Sequence, residues 1–297
     1  MLDVGEQDAG VLRVALPKGR METGVFRLLG DAGIEVRTSS RNYKPTMSLE
    51  GTDCKILKPH NIVEMLHAGS RHVGFAGADW VAEFDLDLVE LLDTGLDPVR
   101  LVAAAPEHLV DEAGRVRSPA GRSMVVASEY ESLTRGWIER SYPGAAFLRT
   151  YGATEVFPPE DADCIVDNTA TGSTLRANGL VIVDELMRSS TRLYASRGAM
   201  EDAGLRGKIE HITTLLRSVL DARKRVVIEL NTDGESLERV IEAIPAMRRP
   251  TVSPLHGQSG FAVKAAVPRK ELTGLIPELK RLGGTDILIS QPGQIIP

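Results

Sequence analysis

The feature that most constrains the fold is a regular alternation of short apolar strands with amphipathic helices over the first part of the chain. The pattern predicts a strand over residues 11–16, a loop that carries Lys18 and Arg20, and a helix that ends at Gly33. Two similar units follow, one with a strand at 54–57 and one at 73–79, where a short apolar strand ends in a Gly-rich turn. Strands that alternate with short helices are typical of a parallel α/β sheet, so we predict an α/β fold.

A second α/β set follows a buried strand at 101–106. It contains predicted strands at 124–127, 146–150 and 164–166, and residues 192–195 form a strand that can lead the chain back. We therefore predict two lobes with a central cleft, because clefts at domain junctions are the usual ligand sites. The predicted ranges are 1–106 with 187–210 for the first lobe, and 107–186 for the second.

The last part of the chain has a different pattern. A connecting helix is predicted at 211–224, and a separate domain at 225–297. The domain has the order βαββαβ, which is the ferredoxin-like arrangement. Pro254 interrupts the second of its strands, which should therefore lie at a sheet edge.

Composition excludes several classes of protein. The chain has 297 residues with 35 basic and 41 acidic side chains, a net charge of −6, so nucleic-acid binding is not expected. Its two cysteines are too few for a disulfide framework or a Cys-type zinc site. No apolar run approaches the length of a membrane span. The first residues lack the pattern of a signal peptide, so a cytoplasmic location is expected.

The segment 163–175 is the most informative motif. An apolar strand is bracketed by Asp163 and Asp167, and a loop of small polar residues follows, then a helix-compatible stretch. Such a loop can direct N–H groups and hydroxyls at a phosphate, and an acid at the strand end can accept hydrogen bonds from a ribose diol. The pattern suits a ribose 5-phosphate, and an ordinary strand–turn–helix connection is the alternative. The candidate ligands of the phosphoribosyl pyrophosphate are Asp163, Asp167, Thr171, Gly172, Ser173 and Thr174, the last four as the phosphate loop.

Lys18 and Arg20 are candidates for a second anion site at the end of the first strand. Two cations at this spacing can meet a pyrophosphate, and Lys58 occupies the equivalent place in the next unit. A solvated loop is the alternative. Of the six histidines, only His60 lies in a candidate site loop, and none shows metal-ligand spacing.

Other chemistries lack their motifs. The chain contains no Walker A sequence, no dinucleotide fingerprint after a strand, no Gly-x-Ser-x-Gly and no His-Glu-x-x-His. Hydrolysis through a nucleophile and zinc peptidase chemistry are therefore not supported.

Several separated segments together resemble the ATP phosphoribosyltransferase family in its long form, the first enzyme of histidine biosynthesis. The segments are Leu12-Arg13-Val14-Ala15-Leu16-Pro17-Lys18-Gly19-Arg20, the stretches 73–79 and 163–180, Arg249-Pro250-Thr251-Val252-Ser253-Pro254-Leu255, and Leu282-Gly283-Gly284-Thr285-Asp286-Ile287-Leu288. The resemblance implies two periplasmic-binding-protein-like lobes and a C-terminal regulatory domain similar to ACT domains.

The resemblance also implies a reaction and a set of partners. ATP N1 would be joined to C1 of 5-phosphoribosyl 1-pyrophosphate with release of pyrophosphate, in the presence of Mg²⁺ and under inhibition by histidine. A homo-oligomer between a dimer and a hexamer is expected. Lys18, Arg20 and Asp167 would be catalytic. ATP would contact Lys58, Gly74, Ala76, Gly77, Asp79 and Glu155, and histidine would contact Asn231, Met247, Thr251 and Asp286.

Two alternatives stay open at the level of sequence. The first is a phosphoribosyltransferase that uses another acceptor. The second is a non-catalytic regulatory protein that binds a small molecule on the same fold. Retention of Lys18, Arg20, Asp167 and the 171–174 loop favours an enzyme. Displacement at an anomeric carbon needs positioning and charge stabilisation more than a nucleophile–base pair, so the missing pair is expected.

Overall fold

The computed structural model describes residues 10–39 and 42–296. They form two compact units: the first comprises the residues up to Arg27 with Glu35–Glu210, and the second Leu28–Ile34 with the residues from His211 onward. The strands are β1 (Leu12–Pro17), β2 (Val36–Ser39), β3 (Asn42–Met47), β4 (Thr52–Leu57), β5 (Val73–Gly77), β6 (Val89–Pro106), β7 (Val125–Ser128), β8 (Ala146–Arg149), β9 (Cys164–Thr169), β10 (Leu180–Ala195), β11 (Arg225–Thr232), β12 (Thr251–Pro254), β13 (Phe261–Pro268) and β14 (Thr285–Ser290). The helices are α1 (Arg20–Asp31), α2 (Pro59–His67), α3 (Ala78–Phe84), α4 (Glu131–Ser141), α5 (Ser173–Ala177), α6 (Arg197–Glu201), α7 (Ala203–Arg223), α8 (Leu237–Ala243) and α9 (Leu272–Arg281).

One eight-stranded sheet, in the order β4-β1-β5-β10-β6-β9-β7-β8, runs through the first unit. Its two central strands, β6 and β10, are long and antiparallel, and each contributes one half to each lobe. The end of β10 pairs with β5, whereas the later part of β6 pairs with β9. The predicted fold class, two α/β lobes around a cleft followed by a ferredoxin-like domain, is confirmed.

The strands β6 and β10, which belong to both lobes, differ from what the sequence predicted. The strands predicted at 101–106 and 192–195 are the ends of β6 and β10, and the sheet is mixed rather than parallel. Residues 100–104, expected in the first lobe, pair with β9 of the second. The remaining parts of both strands are mostly half-buried or exposed and are interrupted by register shifts, so their burial does not alternate with the regular period of a simple strand.

Two further elements differ from expectation. The antiparallel pair β2–β3 was not predicted from the sequence. The helix predicted to begin at residue 211 begins at Ala203 in the structure. Its first two turns were not predicted because Gly204 and Gly207 weaken the helical pattern of the sequence there.

Each lobe has its own core. In the first, Ile62, Val63 and Leu66 of α2 pack with Ala15 of β1. In the second, strand residues such as Val126 and Val166 pack with aromatic side chains around α4. Each fully buried side chain of this size contributes roughly 1.5–3 kcal/mol. The cores fix the strands, and the strand ends in turn place the site residues.

The second unit has a four-stranded antiparallel sheet in the order β12-β13-β11-β14. Alternate residues of β11, such as Ile228 and Leu230, pack with Val240 of α8 and Leu279 of α9 in one core. The strand that contains Pro254 lies at a sheet edge, as predicted. Within the described part of the chain, no helix is long and apolar enough to cross a membrane.

Candidate active site

The carboxyl ends of β1 and β4 place two lysines side by side. Pro17 and Leu57 are register partners in these parallel strands, and the Lys18 N–H donates to the Leu57 carbonyl at 2.8 Å. Lys18 and Lys58 therefore leave the sheet at the same level, and Arg20 opens α1 one residue beyond the turn at Gly19. All three cationic side chains are exposed. The first lobe thus presents a cationic edge.

The second lobe presents carboxylates at its corresponding edge. β7 and β9 are parallel with Ser128 opposite Val166, so Glu129 leaves β7 at the level of Asp167 in β9. Both acids are half-buried. The Oδ1 atom of Asp167 accepts a hydrogen bond from the Asn168 N–H at 2.7 Å, which fixes its orientation.

The charges that act on Asp167 come from both edges. Burial raises the pKa of its carboxyl to about 7, against an ordinary value of 3.8. The nearby charges of Glu155 and Glu129 raise the pKa further, and the guanidinium of Arg20 lowers it. The structure therefore brings Asp167, Glu155 and Arg20, which the sequence analysis assigned to one site, within electrostatic reach of one another.

The loop after β9 has the geometry of an anion site. Gly172 adopts φ 74°, a left-handed conformation that favours glycine, and its N–H donates to the Thr169 Oγ1 at 2.9 Å. Thr171 donates through its hydroxyl to Ser173 at 3.0 Å. The side chains of Thr171, Ser173 and Thr174 are exposed at the carboxyl end of the strand, beside Asp167. Their hydroxyls are available to a phosphate.

Asp163 does not join this site. It precedes β9, roughly 13 Å of extended strand before Asp167. Its carboxylate is buried and accepts hydrogen bonds from both terminal nitrogens of Arg122, at 2.6 and 2.7 Å, and from the Val125 N–H at 2.9 Å. Burial alone would raise the pKa of Asp163, but these partners lower it overall. Asp163 therefore anchors the strand, and its assignment as a substrate ligand was wrong.

Asp79 is likewise engaged within the protein. It is 4% exposed, its Oδ2 accepts from the Tyr130 hydroxyl at 2.6 Å, and its Oδ1 accepts from the Ser189 hydroxyl at 2.7 Å. Tyr130 in turn accepts from the Asn168 amide at 2.9 Å. The result is a hydrogen-bonded chain that leads from α3 in the first lobe to the residue next to Asp167. Asp79, expected to contact ATP, instead connects the lobes.

Three of the other residues expected to contact ATP lie in β5. A Cβ on Gly74 would lie 2.8 Å from the Ile62 side chain, so glycine is required there by the packing of α2. Ala76 is fully buried in the same core. Their side-chain positions therefore point into the lobe. Gly77, also buried, immediately precedes α3 at the carboxyl end of the strand.

His60 lies on the first lobe but is influenced by charges of both. Burial and the charge of Lys58 lower its pKa, whereas Glu64 and Glu129 raise it to a lesser extent. Its ring contacts Trp80 edge-on, with the centroids 5.3 Å apart, and Trp80 stacks on Tyr130 at 4.6 Å. His60 is consequently a neutral group beside the cationic edge.

Several residues of this site were not identified from the sequence. Glu129 had a usable signal, because it follows a predicted strand just as Asp167 does. No sequence signal pointed to Tyr130, because its partner Asp79 is 51 residues away in the chain. The same holds for Glu83, which is buried and accepts hydrogen bonds from two backbone N–H groups at the start of α4, a cap supplied by the other lobe.

The four residues expected to bind histidine are only partly brought together. The Asn231 amide donates to Asp286 Oδ2 at 3.1 Å, so these two share one end of the sheet. Thr251 lies on the edge strand β12, opposite Lys264 of β13, and the strands β13 and β11 separate it from Asp286 in β14. Met247 is held beside Ala266, which pairs with Val227, four residues from Asn231. A single site that contains all four is therefore not formed within one chain.

The chain matches two family models. The model described as ATP phosphoribosyltransferase covers residues 58–218, and the model described as HisG, C-terminal domain, covers residues 222–291. An ATP phosphoribosyltransferase of Chlorobium phaeobacteroides is 34% identical over 282 residues, which are 93% of this chain and 95% of that protein. One from Desulforudis audaxviator is 34% identical over 291 residues, 96% and 99% of the two chains.

A solved structure supports the same relationship. The structure described as "ATP phosphoribosyl transferase (HisG:HisZ) complex from Thermotoga maritima" has a TM-score of 0.61 at 25% sequence identity. The match covers 71% of this chain and 98% of that one. Both parts of the chain are thus accounted for by related sequences, and the chain belongs to the ATP phosphoribosyltransferase family, whose members are transferases of histidine biosynthesis.

Proposed function

We propose that the first unit transfers the 5-phosphoribosyl group of 5-phosphoribosyl 1-pyrophosphate to N1 of ATP, yielding N1-(5-phosphoribosyl)-ATP and pyrophosphate. The bond from the anomeric carbon to the pyrophosphate oxygen breaks, and a bond from that carbon to N1 forms. The observation that carries this proposal is the juxtaposition of Asp167 and the 171–174 loop on one lobe with Arg20 on the other.

The second lobe would hold the phosphoribosyl part of the donor. The exposed hydroxyls of Thr171, Ser173 and Thr174 suit the 5-phosphate, and Asp167 beside them suits the ribose diol. Displacement at the anomeric carbon develops positive charge on the sugar. The half-buried carboxylates of Glu129 and Asp167 would stabilise that charge without having to reorganise.

The first lobe would hold the leaving group. Lys18, Arg20 and Lys58 are exposed at its edge and would neutralise the pyrophosphate as it departs. N1 of adenine has a free lone pair, so no base has to remove a proton from it. The neutral ring of His60 and the half-buried Glu155 remain as polar contacts for ATP.

Magnesium would enter with the donor. Within residues 10–39 and 42–296, no group of three or more histidine, cysteine or acidic side chains is arranged to hold a metal ion. The negative charges of Glu129 and Glu155, which act on Asp167, would instead attract a cation that the pyrophosphate of the donor carries. When bound, Mg²⁺ would neutralise part of the pyrophosphate charge.

The reaction is tested by pyrophosphate release from the donor in the presence and absence of ATP. Release that requires ATP, together with a product that contains both substrates, is the expected result. Release with another nucleotide acceptor and none with ATP would overturn the assignment. Arg20→Lys should lower kcat/KM at least about tenfold because the forked geometry is lost. Arg27→Lys, on the exposed side of the same helix, is the matched control and should be neutral.

We also propose that histidine inhibits the enzyme by binding to the second unit. The exposed Asp286 carboxylate, held by Asn231 and by the Thr285 hydroxyl at 3.2 Å, suits the amino group of an amino acid. Calorimetric titration of histidine should show binding to the wild type and at least about tenfold weaker binding to Asp286→Ala. Thr251→Arg, at the far edge of the sheet, should bind as the wild type does. Equal binding in all three proteins would place the effector elsewhere.

We also propose that the chain forms homo-oligomers of a size between a dimer and a hexamer. The second unit exposes apolar side chains on its edge strands, Leu288 at 67% and Ile289 at 45%, which favours burial against another copy. The Thermotoga maritima relative is described as a complex of two different proteins, whereas this chain carries its own C-terminal domain. Size-exclusion chromatography with light scattering at micromolar concentration should show species larger than 32.2 kDa, and a monomer would contradict the proposal.

A further inference from the structure

The second unit contains a large cavity that the proposed function does not use. Its volume is about 720 Å³, and it lies where the end of α7 meets the start of β11 and the end of β13. Five cationic side chains line it: Arg223, Lys224, Arg225, Arg269 and Lys270. None of them belongs to the proposed active site or to the Asn231–Asp286 pair.

The charge of this cavity is unusual for the chain. Residues 220–297 contain 11 basic and 9 acidic side chains, yet five of the basic residues and only Asp221 among the acids line the cavity. Its net charge is therefore strongly positive although the whole chain carries −6. Cations concentrated in a concave site repel one another, and an anion relieves that repulsion.

Four of the five cations divide into a held pair, Arg223 and Arg269, and a more loosely held pair, Lys224 and Lys270. Arg223 is held by Asp31 at 2.8 Å, and Arg269 donates to the Arg223 carbonyl at 3.3 Å, so these two form a rigid base. Lys224 lies 3.7 Å from Asp221, a loose and exposed pair. In the described part of the chain, no acidic side chain pairs with Lys270. The two lysines can therefore turn towards a ligand.

The remaining lining is apolar and comes from Met247, Pro268 and Ile295. Met247 is 37% exposed, which is high for a large apolar side chain. A surface of this kind accepts a flat ring, while several clustered cations accept a chain of phosphates. The volume is sufficient for one molecule that combines the two.

We propose that this cavity binds a nucleoside polyphosphate, with the phosphates on the five cations and the base against Met247, Pro268 and Ile295. The site is independent of catalysis by the first unit. It would make the second unit responsive to the nucleotide pool through five cations that the histidine proposal does not involve, and it assigns Met247, expected from the resemblance to contact histidine, to the nucleotide instead.

The test uses the full chain labelled with ¹³C at the methionine methyl groups. The Met247 signal is identified by its loss in Met247→Leu, and it reports on this cavity alone even when the probe also occupies the active site. ATP should shift the Met247 signal with a saturable dependence on concentration. Inorganic tripolyphosphate should shift it too, but more weakly, because it lacks a ring.

The double variant Lys224→Gln/Lys270→Gln should bind ATP at this signal about 2- to 30-fold more weakly, the combined effect of two exposed charge contacts. Lys280→Gln/Arg281→Gln removes the same charge from α9, outside the cavity, and should bind as the wild type does. Equal weakening in both double variants would mean non-specific attraction and overturn the proposal. An unshifted Met247 signal would also overturn it, and ATP binding no tighter than tripolyphosphate would overturn the nucleotide assignment.

Discussion

Asp167→Asn should make the protein more stable at neutral and alkaline pH while it impairs the reaction. The asparagine retains the Oδ1 acceptor for the Asn168 N–H but carries no charge. Burial and the acids Glu155 and Glu129 raise the pKa of Asp167 to about 7 from an ordinary 3.8. A difference of about three units corresponds to about 4 kcal/mol of unfavourable free energy for the ionised form in the folded state.

The size of the stability difference between Asp167→Asn and the wild type, and its pH dependence, follow from the difference in the pKa of Asp167 between the folded and unfolded states. Asp167 is half-buried, so solvent screens part of the effect, and we expect a gain of about 2–4 kcal/mol above pH 7. The folded state holds the proton more tightly than the unfolded state. The wild type therefore loses stability relative to the variant as pH rises from about 4 to about 7, and the difference then levels off.

Urea unfolding of both proteins at several pH values measures this difference directly. Asp163→Asn is the matched control because it lies at the other end of the same strand. Burial raises its pKa, but Arg122 and the Val125 N–H together lower it overall, so that variant should lose about 1–3 kcal/mol at neutral pH. The loss should shrink only in acid, as Asp163 in the wild type becomes protonated. A destabilised Asp167→Asn at about pH 8 would refute the reasoning.

Three other substitutions test the framework of the site. Tyr130→Phe leaves the buried carboxylate of Asp79 without its 2.6 Å hydrogen bond and should cost about 1–3 kcal/mol in urea unfolding, and an unchanged midpoint would show that the link between the lobes is not made. Gly74→Ala places a methyl group 2.8 Å from Ile62 and should cost about 1–3 kcal/mol by the same measurement. Gly172→Ala strains a residue at φ 74° and should raise the KM for the phosphoribosyl donor several-fold, whereas equal KM values would remove the loop from the donor site.

The site could be predicted where local pattern and strand direction were sufficient. Asp167 and its loop follow a short apolar strand, so their place at a sheet edge required only the strand and the glycine. Lys18 and Lys58 were placed side by side because parallel strands bring their carboxyl ends together. The ferredoxin-like order was visible for the same reason, since each of its elements has a clear period.

What could not be predicted depended on distant partners. Asp163 and Asp167 look equivalent in the sequence, but only the fold brings Arg122, 41 residues away, to Asp163. Asp79 was expected to contact ATP, but it accepts hydrogen bonds from Tyr130 and Ser189, which are 51 and 110 residues away in the chain. The full lengths of the strands β6 and β10 were not predicted, because register shifts interrupt the two-residue alternation of buried and exposed side chains.

The acids around Asp167 reduce the stability of the folded state, and the proposed function gives a reason for their presence. Asp167, Glu129 and Glu155 repel one another, and the repulsion is part of the reason that the pKa of Asp167 is high. A site that stabilises a developing cation needs such fixed negative potential, and its stability is reduced accordingly. Glu129→Gln should therefore lower the pKa of Asp167, as followed by the ¹³C carboxyl signal that is lost in Asp167→Asn. Glu160→Gln, an exposed acid whose charge is not among those that act on Asp167, should leave that signal's titration unchanged. An unshifted midpoint in Glu129→Gln would mean that the charge of Glu129 does not act on Asp167, and the proposal that these two acids act together on the substrate would be wrong.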